Sequence, residues 1–255
     1  MDESRRYGTL YGVGVGPGAP DLLTLRAKRC LEEVPVLALP RSNDYGLSQA
    51  WEIVAPIIGE RPGQTRLFLT FPMLKSPARL RPAWDRAFAA IGEHLEAGRD
   101  VAFATMGDPS LFSSFIYLQR EAPERWPGIR VEVIPGVSSV TAVPAVTGIP
   151  LADGQERIAI LPGTCGYDEL DTCLQRFDTV VLMKIGPEMP RVVEAIEAAG
   201  LLERAVFVSK ATMHDQIIVR DLHELLHLRG DCLSMLIVAK KQRSGVLAGD
   251  VAPGA

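Results

Sequence analysis

The chain has 255 residues, 47% of them hydrophobic, and a formal net charge of −4. These values suit one large or two small domains with a buried core, and they exclude a largely disordered chain. The absence of a long basic run disfavours nucleic-acid binding over a broad surface, and no apolar stretch is long enough to cross a bilayer. Because residues 1–6 lead into a strand and not into an apolar signal region, we expect a cytoplasmic protein.

Short apolar runs alternate with amphipathic stretches, a pattern typical of α/β folds with mainly parallel strands. The strands predicted in the first half are Thr9–Val15, Pro35–Leu39, Arg66–Leu69 and Asp100–Thr105, with helices at Asp21–Glu33 and Leu80–Ala97. The strands predicted in the second half are Arg130–Ile134, Glu156–Leu161, Thr179–Lys184, Arg204–Ser209 and Leu233–Ala239, with helices at Val137–Val146, Pro187–Ala199 and Leu222–Leu228.

The segment 123–129 holds two prolines and a glycine, which break helices, so it is the best candidate for a linker. We therefore predict an N-terminal α/β lobe over residues 1–122, a C-terminal α/β lobe over 130–241 and a mobile tail over 242–255. Two lobes of this size suit a ligand cleft between them.

The first predicted strand ends in a glycine-rich turn, where the main chain is open to close approach by a ligand. Gly14, Gly16 and Ala19 match the dinucleotide pattern G-x-G-x-x-A. Pro17, however, removes an amide that a diphosphate would use, and no acidic residue follows the second strand. Arg41 stands there and could serve a 2′-phosphate, so an NADP site stays open, as does a tight turn without any ligand.

Ligands of open parallel sheets bind beyond the carboxyl ends of the strands, which makes the residues after each predicted strand candidates. Met106, Gly107 and Asp108 follow the fourth strand. Gly107 permits close approach, and Asp108 could accept hydrogen bonds from a ribose diol, unless the segment is an ordinary Asp-Pro turn. Ser138 and Ser139 follow the fifth strand and could cap the next helix or bind a ligand.

Further candidates follow the strands of the second half. Met183 and Lys184 end one strand, and Ser234 and Met235 lie in the last one. Methionines on strands usually belong to the core, but a thioether surface at a strand end suits an adenine ring.

The cysteines and histidines show no metal-ligand spacing. Cys30, Cys165, Cys173 and Cys232 form no C-x-x-C pair. We therefore expect free buried thiols, no disulfide framework and no bound metal.

Three segments taken together are more specific than any one of them. They read G-x-G-P-G-x-P-D-L-L-T-L at Gly14–Leu25, M-G-D-P-x-x-F at Met106–Phe112 and V-x-P-G-V-S-S at Val133–Ser139. In this order they resemble the tetrapyrrole methyltransferases of cobalamin biosynthesis, from about Tyr11 to about Ala239. Segments 161–164, 183–184 and 211–213 most resemble the branch that methylates carbon 20 of precorrin-2.

The resemblance implies S-adenosylmethionine as methyl donor, bound folded between two α/β lobes, in a homodimer that acts on an anionic tetrapyrrole. A sulfonium nucleoside has no diphosphate, which accounts for Pro17. The implied donor-binding residues are Gly16, Pro17, Met106, Gly107, Asp108, Leu111, Ser138, Ser139, Met183, Ala211, Thr212, Ser234 and Met235. Gly107, Asp108 and Leu111 would line the methionine and ribose portion. The last five would frame the adenine.

A substrate with many carboxylates requires local positive charge in a chain of net negative charge, and arginine suits carboxylates best. The main candidates are Arg41 and Lys184. Lys75, Arg79 and Arg81 are further candidates in the proline-rich segment 72–82, which we expect to form a flap over the substrate.

No catalytic carboxylate is transferred by the resemblance. The related uroporphyrinogen methylases carry an acidic residue just after the second strand, where this chain has Pro40 and Arg41. Asp44, Tyr45 and His214 are the candidates for a base that removes the meso proton.

Three alternatives remain open at this point. The first is the same methylation on cobalt-factor II, in which the metal belongs to the substrate. The second is an NADP-dependent oxidoreductase, which rests on the G-x-G-x-x-A match and Arg41. The third is a tetrapyrrole-binding or carrier protein without catalytic activity.

Overall fold

The computed structural model describes residues 7–43, 45–72, 76–227 and 233–241. The chain divides after Ser139 into two compact units, each with its own five-stranded sheet. This confirms the predicted α/β class. No helix in the described ranges combines the length and apolarity that a membrane crossing requires.

The sheet of the first unit is entirely parallel, with the strand order β3-β2-β4-β1-β5. Its strands are β1 (Leu10–Gly14), β2 (Val36–Arg41), β3 (Thr65–Thr70), β4 (Val101–Thr105) and β5 (Val131–Ile134). The helices that connect them are α1 (Leu25–Glu33), α2 (Gln49–Ile58), α3 (Pro77–Glu96) and α4 (Phe115–Arg125). Because β1 lies between β4 and β5, the turns that follow these three strands leave the sheet at one edge.

Helices cover both faces of this sheet, and successive side chains of a strand point to opposite sides, so the sheet contributes to two clusters of buried residues. Ala38 and Phe103 pack on one face with Phe88 of α3 and Phe115 of α4. The other face packs against α1 and α2, through Leu31 among others. Truncating a fully buried phenylalanine of such a core to alanine costs about 3–5 kcal/mol.

The sheet of the second unit is mixed, which corrects the expectation of mainly parallel strands in this half. Its strands are β6 (Ile158–Pro162), β7 (Thr179–Met183), β8 (Ala205–Ser209), β9 (Ile217–Val219) and β10 (Ser234–Ala239). The order is β6-β7-β10-β8-β9, and only β6 and β7 pair in parallel. The helices are α5 (Ser139–Thr147), α6 (Tyr167–Arg176) and α7 (Met189–Ala198), and α6 and α7 pack on the core.

The expected boundary at residues 123–129 is wrong. Residues 115–125 form α4, and β5 pairs with β1 in the first sheet instead of opening a second lobe. Trp126 is buried in the first core, where its indole N–H donates to Glu96 Oε1 at 3.2 Å. Because this side chain is buried in the core of the first unit, the segment is not a linker, despite its two prolines and glycine. The predicted mobile tail, residues 242–255, lies outside the described residues.

A test of the second fold unit concerns Asp178, which precedes β7. Its Oδ2 accepts from Arg157 N at 2.9 Å, and Lys241 Nζ lies 3.1 Å from its Oδ1. The backbone hydrogen bond from Arg157, with the Lys241 ammonium, holds the pKa of Asp178 below its usual value. A lowered folded-state pKa gives stability that is present above the unfolded-state pKa of about 3.9 and is lost as pH falls through the folded-state value.

We therefore expect Asp178→Asn to lower the free energy of unfolding at pH 7 and to flatten its decline below pH 4. Urea unfolding followed by circular dichroism between pH 2.5 and 7 measures both effects. Asp153→Asn, at an exposed position of the same unit, is the matched control. Parallel pH profiles of D178N and the wild type would contradict the assignment.

Candidate functional site

Three glycines bring the turns after β1, β4 and β5 into direct backbone contact. A Cβ atom built on Gly14 would lie 2.6 Å from both Gly107 O and Gly136 N. A Cβ on Gly136 would lie 2.8 Å from the Gly14 carbonyl carbon and closer still to Gly107 O. Backbone atoms cannot move aside as side-chain ends can, so only glycine fits Gly14 and Gly136. Gly107 also has a φ of 64°, in the region that favours glycine.

Two backbone hydrogen bonds join the turn after β1 to the turn after β4. Gly107 N donates to Gly16 O at 2.7 Å, and Gly16 N donates to Gly107 O at 3.4 Å. Pro17, which has no amide, is buried. Helix α1 begins only at Leu25, with Ala27 N donating to the Thr24 hydroxyl at 3.1 Å. The turn therefore lacks the row of amides at a helix start that a diphosphate requires, which argues against the NADP alternative.

Asp108 links two of these turns. Its Oδ1 accepts from Ser110 N at 2.8 Å, and its Oδ2 accepts from Gly136 N at 3.0 Å. Both oxygens retain lone pairs for a further donor such as a ribose hydroxyl. The carboxylate therefore fixes the position of the β5 turn in addition to the ligand-binding role expected from the sequence.

The β4 turn is open on the side where a ligand would approach. Apart from the chain neighbours Met106 and Asp108, the only described atom within 4 Å of a Cβ built on Gly107 is Ser139 N, at 3.9 Å. Met106, Leu111 and Ser138 are half-buried around this turn. These predicted residues of the first unit therefore lie together at the carboxyl edge of its sheet.

Ser113 supports the same turn and was not predicted from the sequence. Its buried hydroxyl lies 3.0 Å from the Thr105 hydroxyl and accepts from Phe115 N at 3.1 Å. A serine two residues before the start of a helix gives no signal that would have distinguished it from a solvated turn residue.

The candidates of the second unit also converge, because β10 runs against β7 and β8. Met235 pairs with Met183, and Ser234 pairs with Ser209, so the start of β10 lies beside the ends of its neighbours. Lys184 N donates to Ser234 O at 2.9 Å. The residues Met183, Ala211, Ser234 and Met235 are all buried, with no more than 8% of each exposed. Thr212 is half-buried beside them.

This edge holds most of the backbone strain in the described chain. Four non-glycine residues of the described chain have a positive φ. Three of them, Lys184, Lys210 and Thr212, lie at this edge, with values of 58°, 51° and 69°. Such conformations are uncommon for these residue types and cluster at ligand-binding segments.

Arg191 of α7 supports this edge and was missed in the sequence, where it resembles a solvated helix residue. Its Nη2 donates to Gly163 O at 2.7 Å, and its Nε donates to Glu188 Oε2 at 3.3 Å. Gly163 N in turn donates to Met183 O at 2.6 Å. The guanidinium thus holds the turn after β6 against the end of β7.

The two substrate candidates are placed differently. Arg41 ends β2, where its Nε donates to the Thr70 hydroxyl at 3.2 Å and its guanidinium lies 5.7 Å from the Phe68 ring centroid. It therefore shares the carboxyl edge of the first sheet with the glycine turns. Lys184 is exposed at the edge of the second sheet.

No described contact places the flap candidates or the base candidates at the glycine turns. Residues 77–82 form the start of α3 and not a flap, and Arg81 pairs with Asp85 at 3.1 Å. Lys75 and Asp44 lie outside the described residues, as does the side chain of Arg79. Tyr45 and His214 are exposed, and no described contact aims either of them at the glycine turns.

The described cysteines are free, as expected, but only Cys165 is buried, and Cys30 and Cys173 are half-buried. Burial, with the nearby Glu132 carboxylate, raises the pKa of the Cys30 thiol to about 12. Cys232 lies outside the described residues. Within the described ranges, no group of three histidine, cysteine, aspartate or glutamate side chains could hold a metal ion.

Comparison with known proteins identifies the class. Residues 9–226 match the family of Tetrapyrrole (Corrin/Porphyrin) Methylases, and the chain belongs to this family.

The chain is 38% identical over 220 residues to the cobalt-precorrin-2 C(20)-methyltransferase of Salmonella typhimurium, and the alignment covers 86% of this chain and 90% of the relative. It is 33% identical to the precorrin-2 C(20)-methyltransferase of a Sinorhizobium species, over 81% of this chain and 85% of the relative. The fold is similar to that of a uroporphyrin-III C-methyltransferase from Thermus thermophilus in complex with S-adenyl homocysteine. That structure has a TM-score of 0.64 and 24% identity, and the match covers 91% of this chain and 98% of the other.

The close approach of the three turns gives a direct test. Gly136→Ala should lower the free energy of unfolding by about 1–3 kcal/mol, the usual range for overpacking, because the new methyl group meets only backbone. Gly166→Ala is the matched control, since a Cβ built there meets nothing within 4 Å. Chemical denaturation of the three proteins makes the comparison. Equal losses in the two variants would show that the turns do not pack as described.

Proposed function

We propose that this protein transfers a methyl group from S-adenosylmethionine to meso carbon 20 of precorrin-2, giving precorrin-3A, in cobalamin biosynthesis. The observation that carries the proposal is the turn after β1, in a chain that belongs to the tetrapyrrole methylase family. In this turn Pro17 has no amide, and the Gly16 amide already donates to Gly107 O. The relatives at 33–38% identity, named for methylation at C(20), support this position on the ring.

The residues of the first sheet edge fit the polar end of such a donor. The open side of Gly107 lets a ligand reach the main chain beside Ser139 N. Asp108 has lone pairs left for a ribose diol, and Leu111 offers an apolar contact. We assign Gly16, Pro17, Met106, Gly107, Asp108, Leu111, Ser138 and Ser139 to the methionine and ribose portion of the donor.

The residues of the second sheet edge fit the base. Met183, Met235 and Ala211 present buried apolar surface, and thioethers make favourable contacts with aromatic rings. Thr212 and Ser234 add polar atoms beside this surface. We assign these five residues to the adenine.

The chain's part in the reaction is alignment. Bound S-adenosylmethionine would supply a sulfonium methyl group for in-line attack by the electron-rich meso carbon of the reduced tetrapyrrole, with S-adenosylhomocysteine as the leaving group and loss of the meso proton afterwards. Holding donor and acceptor in this geometry is worth about 7–11 kcal/mol. The rigid glycine turns, fixed by Asp108, hold one partner, and Arg41 and Lys184 bind carboxylates of the other.

A turnover assay tests the proposal and separates the alternatives. The protein is incubated with labelled S-adenosylmethionine and with metal-free or cobalt-loaded precorrin-2, and the products are examined by mass spectrometry and NMR. We expect one methyl group at C20 of the metal-free substrate; exclusive turnover of the cobalt form would favour the cobalt-precorrin-2 alternative. Pigment binding without methyl transfer would indicate a carrier, and binding of NADPH in place of S-adenosylhomocysteine would indicate an oxidoreductase.

Arg41 provides a separate test of the substrate side. Arg41→Ala should weaken tetrapyrrole binding by about tenfold, the effect of losing one charge-assisted hydrogen bond, and leave S-adenosylhomocysteine binding unchanged. Arg66→Ala is the control, because Arg66 of β3 also lies beside an aromatic ring, 4.9 Å from the ring centroid of Trp51 on α2, and pairs with Glu60. Fluorescence titration with each ligand measures both affinities. Equal losses for the two ligands would refute the role of Arg41.

We also propose that the protein works in the cytoplasm as a homodimer and holds no metal of its own. The homodimer rests on the family resemblance, the cytoplasmic location on the N-terminal sequence, and the lack of a metal on the spacing of the cysteines and histidines. Light scattering and metal analysis of the purified protein test the homodimer and the lack of a metal.

A further inference from the structure

The loop between β8 and β9, residues 210–216, holds two of the left-handed non-glycine residues. Lys210 has a φ of 51° and Thr212 a φ of 69°. A positive φ is a genuine outlier for a β-branched residue such as threonine, because its side chain crowds the backbone. Such a conformation persists only where the surroundings impose it.

Two side-chain contacts tie this loop together. The Gln216 side-chain oxygen accepts from Thr212 N at 2.7 Å. Lys210 forms an ion pair with Asp215 across the loop. Main-chain hydrogen bonds from Met213 N to Lys210 O and from Gln216 N to Met213 O complete the turn, at 3.0 and 3.2 Å.

The base of the loop is anchored to the sheet on both sides. Ser209 pairs with Ile217 in the antiparallel ladder of β8 and β9, and Lys210 N donates to Leu233 O at 3.1 Å. The position of Gln216 is therefore set by the sheet, whereas Thr212 lies near the middle of the loop. The hydrogen bond between the Gln216 side chain and Thr212 N therefore restrains Thr212 relative to the sheet.

We propose that Gln216 is a positioning residue for the methyl donor: its side-chain oxygen holds the Thr212 main chain in the left-handed conformation and so shapes the Ala211–Thr212 surface. This inference rests on the proposed function, in which Ala211 and Thr212 contact the adenine. Gln216 does not itself touch the donor. It belongs to none of the motifs by which the sequence resembles the family.

Two substitutions separate the hydrogen bond from the bulk of the side chain. Gln216→Met keeps a similar length without a strong acceptor, and Gln216→Glu keeps an oxygen that accepts from an amide. Isothermal titration with S-adenosylhomocysteine should show about three- to tenfold weaker binding for Q216M, the effect of one lost hydrogen bond, and binding within about twofold of the wild type for Q216E. Steady-state kinetics should show a raised KM for S-adenosylmethionine with little change in kcat.

Gln175→Met is the matched control. Gln175 is exposed on α6, where its amide donates to Asp171 at 2.7 Å, away from this sheet edge. Q175M should bind S-adenosylhomocysteine as the wild type does. Circular dichroism and thermal melting of each variant establish that the bound fraction refers to folded protein.

Thr212→Gly gives a second measurement, because glycine adopts a positive φ without strain and needs less support there. In the T212G background, adding Q216M should change the affinity by less than it does in the wild type, and a double-mutant cycle quantifies this coupling.

Failure of the inference differs from failure of the proposed function. If the wild type does not bind S-adenosylhomocysteine, the proposed function is wrong. If the wild type binds but Q216M binds equally well, if Q216E is as weak as Q216M, or if the cycle shows no coupling, the role of Gln216 is overturned.

Discussion

The contact of three backbone turns is the constraint on which the first unit depends. Gly14, Gly107 and Gly136 approach so closely that any side chain at Gly14 or Gly136 would meet main-chain atoms. The parallel order β4-β1-β5 brings their turns to one edge, and Asp108 joins two of them. Because Pro17 has no amide and the Gly16 amide donates to Gly107 O, the turn after β1 suits a donor without phosphate better than a dinucleotide.

In the second unit, antiparallel pairing brings the candidate residues together. Because β10 is antiparallel to β7 and β8, Ser234 and Met235 lie beside the ends of these two strands, so residues from distant parts of the chain share one edge. Two side chains outside the family motifs support this edge: Arg191 donates to Gly163 O, and Gln216 accepts from the amide of the left-handed residue Thr212. Sites of this kind need their supporting contacts as much as the residues that touch the ligand.

The sequence predicted nearly every strand and the α/β class, because apolar runs and their punctuation are local signals. It could not predict the direction of β10, since an apolar run reads the same in a parallel and an antiparallel strand. The prolines near residue 123 suggested a linker, but Trp126 is buried in the first core, so this segment belongs to the first unit. The link from Asp108 to Gly136 spans 28 residues and depends on strand order, which no local pattern encodes. Sequence motifs thus indicated which residues cluster, and left unpredicted the side chains that hold them in place.

The most direct test of the central claim is diffraction from crystals grown with S-adenosylhomocysteine. The account predicts difference density for one nucleoside against the Met106–Leu111 segment, with the glycine turns unchanged in backbone position. Density for the ligand at any other place, or crystals that show none at saturating concentration, would contradict it.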